Sequence, residues 1–157
     1  PPWSRVLAGK RVLVVHPFEE SIRRQYAKRT LLFPGREVLP EFELLTLKAP
    51  QTLGGISDRF ATWFDALAWL CSETDKIDFE VAIIGAGAYG FPLAAHVKRS
   101  GRKAVHLGGA TQIMFGIMGN RWETDETLRP FVSEHWTRPL PEETPACADR
   151  VEEACYW

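Results

Sequence analysis

The sequence predicts an α/β fold, a Rossmann-like three-layer sandwich with a mainly parallel sheet of about four strands and an irregular C-terminal tail. Three observations carry that expectation. Four short runs rich in β-branched and apolar residues, 11–15, 42–48, 79–84 and 103–107, alternate with stretches at helical spacing. Such alternation builds a parallel sheet covered on both faces. The third run leads into Gly85, and Gly85, Gly87 and Gly90 spell G-x-G-x-x-G just before an amphipathic stretch. A strand before and a helix after is the context that a phosphate-cradling loop needs.

The elements follow in order. "RVLVV" (11–15) reads as a buried strand. In 19–33, Ile22, Tyr26 and Arg29 or Thr30 recur at helical spacing, and Pro34-Gly35 ends that helix. "FELLTLK" (42–48) is the second strand and 49–55 a loop. Ser57 is the expected N-cap, and Asp58 suits the positive end of the next helix. That helix places Phe60, Trp63, Phe64, Leu67 and Leu70 on one stripe. "FEVAII" (79–84) is the third strand, and the helix after it runs over 90–100 to a Gly101 stop. "KAVHL" (103–107) is the fourth, and 108–119 forms a short helix between glycines. Beyond Trp122 the periodicity fades. Pro130, Pro139, Pro141 and Pro145 leave room only for a short helix near 124–135. The division is an α/β domain over 1–122 and a proline-rich tail over 123–157, which packs on the domain or on a partner.

Hydrophobic residues make up 45% and charged residues 25% of the chain, as in ordinary globular domains. A net charge of −1 gives no general attraction to nucleic acid, so none is expected as a partner. No apolar run approaches the roughly 18 residues of a membrane span. Cys71, Cys147 and Cys155 lack paired C-x-x-C spacing, which points to a reducing, cytoplasmic setting with no metal site in this chain. No Ser-His-Asp spacing, P-loop or helix-turn-helix signature is present. The opening Pro1-Pro2-Trp3 suggests the second half of a larger protein.

Right-handed crossovers put ligands beyond the carboxyl ends of parallel strands. Three segments converge there: His16-Pro17-Phe18, the loop 85–90, and 106–110. Gly85, Gly87 and Gly90 let a phosphate approach the backbone at a helix N-terminus, or else form only a tight turn. Tyr89 could stack on a base or sugar, Gln112 and Thr111 could hydrogen-bond a ligand, and Arg121 could clamp a phosphate beside Trp122. His106 and His16 are the candidate catalytic bases. The dinucleotide version of the motif wants an acid about 20 residues on, where His106-Leu107-Gly108-Gly109 stands instead.

"DFEVAIIGAGAYGFPLAAHVKRSGRKAVHLGGATQIMFGIMGNRW", "VLVVHPFEESIRRQY" and "VEEACYW" together resemble an uncharacterised bacterial group encoded with surface-polysaccharide biosynthesis enzymes. That group is similar in outline to the C-terminal half of GT-D-type glycosyltransferases. The resemblance spans about 11–157 and implies a Rossmann-like fold that binds a nucleotide or nucleotide sugar. It also implies a divalent metal held by an Asp-x-Glu motif upstream, in a full-length protein. Asp78-Phe79-Glu80 matches that motif in letters but falls at the start of a strand, away from the crevice, and reads as a solvated turn. The expected role is the nucleotide-sugar-binding part of a glycosyltransferase-like protein. A dinucleotide-binding oxidoreductase module and a non-catalytic assembly domain stay open. So do a homo-oligomer and a missing N-terminal segment.

Overall fold

The computed structural model describes residues 1–52, 59–150 and 152–157. Strands β1 (Arg11–His16), β2 (Glu43–Lys48), β3 (Val81–Ile84) and β4 (Lys103–His106) form one all-parallel sheet in the order β2-β1-β3-β4. The central strands are apolar because both of their faces are covered. Val12, Val14, Val81 and Ile83 pack on one side, and Leu13, Val15, Ala82 and Ile84 on the other. That parity defines three layers. Helix α1 (Glu19–Ala27), the short α2 (Arg29–Leu32) and α5 (Ala110–Met114) accompany the first face through Ile22, Leu32, Met114 and Phe115. Helices α3 (Trp63–Asp75) and α4 (Gly90–Arg99) cover the second through Ala66, Leu70, Leu93 and Val97. Each large apolar side chain so buried stabilises the fold by roughly 1.5–3 kcal/mol.

Several boundaries differ from the sequence expectation. The continuous helix over 19–33 is interrupted at Lys28, whose φ of −113° leaves the helical basin. Ser57 and Asp58 lie outside the described residues. Helix α3 starts at Trp63 under a capping box: Asp65 N–H donates to Thr62 Oγ1 at 3.1 Å, and Thr62 N–H to Asp65 Oδ2 at 2.9 Å. Its buried line is Ala66, Leu70 and Thr74, so Phe64, half a turn away, is 74% exposed rather than part of a core stripe. The helix expected near 124–135 is a single 3-10 turn, Arg129–Phe131, with α6 (Asn120–Glu123) ahead of it.

The irregular tail runs back across the α1 layer. A parallel bridge joins Ile117 to Thr137, and the Trp136 indole N–H donates to Leu32 O at 3.0 Å. No described helix is long and apolar enough to cross a membrane. At the amino ends of the strands, Arg11 pairs with Asp78 at 3.0 Å and donates its backbone N–H to Glu80 at 3.0 Å. The Asp-x-Glu letters are therefore engaged at the end of the sheet opposite the crevice.

Candidate functional site

The strand order reverses between β1 and β3, because α1 leaves on one face while α3 and α4 occupy the other. Crossovers that diverge in this way leave a crevice beyond the strand ends. A cavity of about 360 Å³ lies there, within the range of small-molecule sites. His16, Gly85, Gly87, Tyr89 and Gln112, all singled out from the sequence, line it. Beside it, across Pro50, Gln51 and Thr52, runs a groove bearing Lys48 and Arg59.

The three motif glycines answer to three different demands. At Gly85 a Cβ would stand 2.7 Å from Gly108 O, His16 Cδ2 and Thr111 Oγ1, so the strand end cannot carry a side chain. Gly87 has a φ of +51° and open space where a Cβ would be, the left-handed geometry that glycine adopts without strain. Gly90 makes room for the His106 imidazole, which a Cβ would overlap.

The loop residues 85–89 line the cavity. Gly85 N–H donates to Val15 O at 2.9 Å and Tyr89 N–H to Ala86 O at 3.0 Å, but the N–H groups of Ala86, Gly87 and Ala88 have no acceptor among the described residues. These donors open the 3-10 turn Gly87–Tyr89 that leads into α4, where the helix dipole favours an anion.

His16 is buried, and burial pushes its imidazole down to about 3, so the ring is neutral at physiological pH. Phe18 N–H donates to Nδ1 at 3.0 Å, which places the ring proton on Nε2. Nε2 has no acceptor among the described residues, and the residue lines the crevice. His16 thus offers a hydrogen-bond donor, and its one lone pair is already used.

The other candidates are placed differently. His106 is exposed on the α4 side of the edge strand, over Gly90 and 6.4 Å from the Phe91 ring, and is not among the described residues lining the crevice. Period-two alternation explains this: His106 shares a face with Ala104, which packs against the α4 layer. Tyr89 is buried with its ring stacked on Trp63 at 5.3 Å and 9°, and its hydroxyl is hydrogen-bonded to Thr52. Gln112 donates from Nε2 to Tyr156 O at 2.8 Å. Arg121 lies over the Tyr156 ring at 5.1 Å and donates to its hydroxyl at 3.1 Å, so its guanidinium serves the tail.

Tail residues complete the crevice. Asn120 and Arg121 N–H groups donate to Trp157 O (3.3 Å) and Cys155 O (2.8 Å), and Arg138 adds a bond to Trp157 O at 2.8 Å. Trp157 meets Phe18 edge-on at 6.1 Å and donates from its indole to Glu143 O at 3.2 Å. Glu143 itself is buried, and its carboxylate caps α1. Glu20 N–H and Ser21 N–H donate to it at 2.8 and 3.2 Å, and the Ser21 hydroxyl donates as well. Sequence reasoning missed this contact. The available signal was a helix start with no capping side chain, since the residue before Glu19 is Phe18 and orphan amides need an acceptor from somewhere.

Fold and crevice together define a doubly wound parallel α/β domain with a ligand-sized site at its switch point. No protein-family model, curated protein or solved structure matches the chain.

Proposed function

We propose that this domain binds a nucleotide or nucleotide sugar, with a phosphate on the 86–88 amides, as the donor-binding part of a glycosyltransferase-like protein. The observation that carries the reading is the set of three N–H groups at Ala86, Gly87 and Ala88 with no acceptor among the described residues, on the same cavity as the buried His16 with its donor Nε2. Amides aimed at a diphosphate also stabilise the charge that grows on it as a leaving group. In this reading His16 donates to the ligand and does not act as the base. A divalent metal has no fit here: the described residues hold no group of three His, Cys, Asp or Glu side chains suited to one, and Glu143 is committed to α1. No step is therefore routed through a metal.

The dinucleotide reading is weakened by Glu143, which occupies the N-terminus of the helix after β1, where a pyrophosphate would sit in such a fold. The assembly-domain reading draws on Phe64 and Phe91, exposed at 74% and 76%. Calorimetric titration separates the three. UDP, GDP or their sugars should bind more tightly than NAD or FAD. Tighter binding of NAD overturns the assignment, and silence from every nucleotide favours assembly.

A further inference from the structure

Both core layers end at the crevice in aromatic side chains. From the α4 side comes Tyr89, flat on Trp63. From the α1 side come Phe18 and Trp157, with Tyr156 edge-on to Trp157 at 6.1 Å. All five line the same cavity, and Tyr156 and Trp157 are only half-buried. The polar groups between these walls are few and specific. Gln112 is 1% exposed, and its bond to Tyr156 O fixes the amide so that Oε1 is the free end, without a donor among the described residues. His16 is 5% exposed and supplies the acceptorless Nε2–H. Buried polar groups are normally paired. Among the described residues Thr111 Oγ1 is the one fully buried side-chain polar atom without a partner, so the free ends of Gln112 and His16 are reached from the cavity, where a ligand edge completes the set.

We propose that this cavity is a nucleobase pocket: a planar heteroaromatic ring lies between the Tyr89–Trp63 pair and the Trp157 indole, its edge donating to Gln112 Oε1 and accepting from His16 Nε2–H. The assignment rests on the phosphate reading above and extends it, because it makes the tail part of the binding site. Stacking on aromatic rings is tolerant of base identity, whereas a donor–acceptor pair selects among bases.

The experiment is calorimetric titration of the protein with UDP, GDP, ADP, CDP and inorganic pyrophosphate. It compares the wild type with Trp157→Ala, Trp157→Phe and Gln112→Ala, each checked for a cooperative thermal transition. At least one nucleoside diphosphate should bind about tenfold or more tighter than pyrophosphate. Trp157→Ala should remove that advantage and leave pyrophosphate affinity within about twofold, while Trp157→Phe retains most of the advantage. Gln112→Ala should weaken the preferred nucleotide and leave pyrophosphate unchanged, and it decides the matter if Trp157→Ala does not fold. Equal binding of nucleotides and pyrophosphate by the wild type, or equal losses for both in the variants, overturns the nucleobase pocket and leaves the phosphate site standing. Binding of neither overturns both.

Discussion

Two helix N-termini approach the crevice, and the chain treats them in opposite ways. The start of α1 is filled by the chain's own carboxylate, with Glu143 held by two backbone amides and the Ser21 hydroxyl. The turn leading into α4 has no such partner among the described residues, and residues 86–88 line the crevice. Both ends carry the same partial positive charge, so the difference lies in who supplies the anion. One end is a structural joint that fixes the tail, and the other is the end proposed for a ligand.

Breaking the joint should have the largest effect. Glu143→Ala strips the acceptor from buried donors, and hydrogen bonds to a charged group are worth about 1.5–3 kcal/mol. A loss of ~3 kcal/mol in urea-induced unfolding is expected, with partial recovery in millimolar phosphate as an external anion enters the gap. No recovery with phosphate would mean that the end is not an anion site once vacated.

Gly85→Ala comes next. Its Cβ would press on Gly108 O, His16 and Thr111, and overpacking of this kind costs roughly 1–3 kcal/mol, read as a lower melting temperature. Gly87→Val sharpens the contrast with it. Here no neighbour is struck, so the fold should lose only about 1–2 kcal/mol through the left-handed φ. Nucleotide and pyrophosphate affinity should fall steeply, because the side chain occupies the open space beside the amides. Unchanged affinity in this variant would show that the loop is only a turn.

Per pH unit, the pH dependence of stability gives the smallest effect. Burial lowers the His16 pKa from 6.5 to about 3, so between those values the unfolded chain binds a proton that the folded chain refuses. The stabilisation is complete above about pH 6.5 and drains away as pH falls toward 3, by at most ~1.4 kcal/mol per pH unit. His16→Gln should flatten the stability profile between pH 4 and 6. An unaltered slope there would place the titrating group elsewhere.

The sheet was legible in the sequence because parallel strands buried on both faces leave continuous apolar runs, as in "RVLVV" and "VAII". The glycine loop was legible because its position after a strand fixes where it opens. His106 was expected at the crevice and lies instead on the α4 face of its strand, although its parity with Ala104 held the answer. Arg121 looked like a phosphate ligand because nothing local shows that Tyr156, 35 residues later, takes its guanidinium. Glu143 was illegible for the same reason: 122 residues separate it from Ser21, and no pattern within a proline-rich segment reports so distant a partner.

That distance has a kinetic consequence. Val12 pairs with Leu44 over 32 residues, Val81 with Lys103 over 22, and Val12 with Val81 over 69. The bond from Glu20 to Glu143 closes a loop of 123 residues, longer than any strand pairing, and so carries the larger loop-closure cost. Residues 1–125 contain every strand and the glycine loop but neither the joint at α1 nor the Trp157 wall. The wall of the crevice therefore depends on contacts of high sequence separation, and without them Phe18 lacks its edge-on partner Trp157.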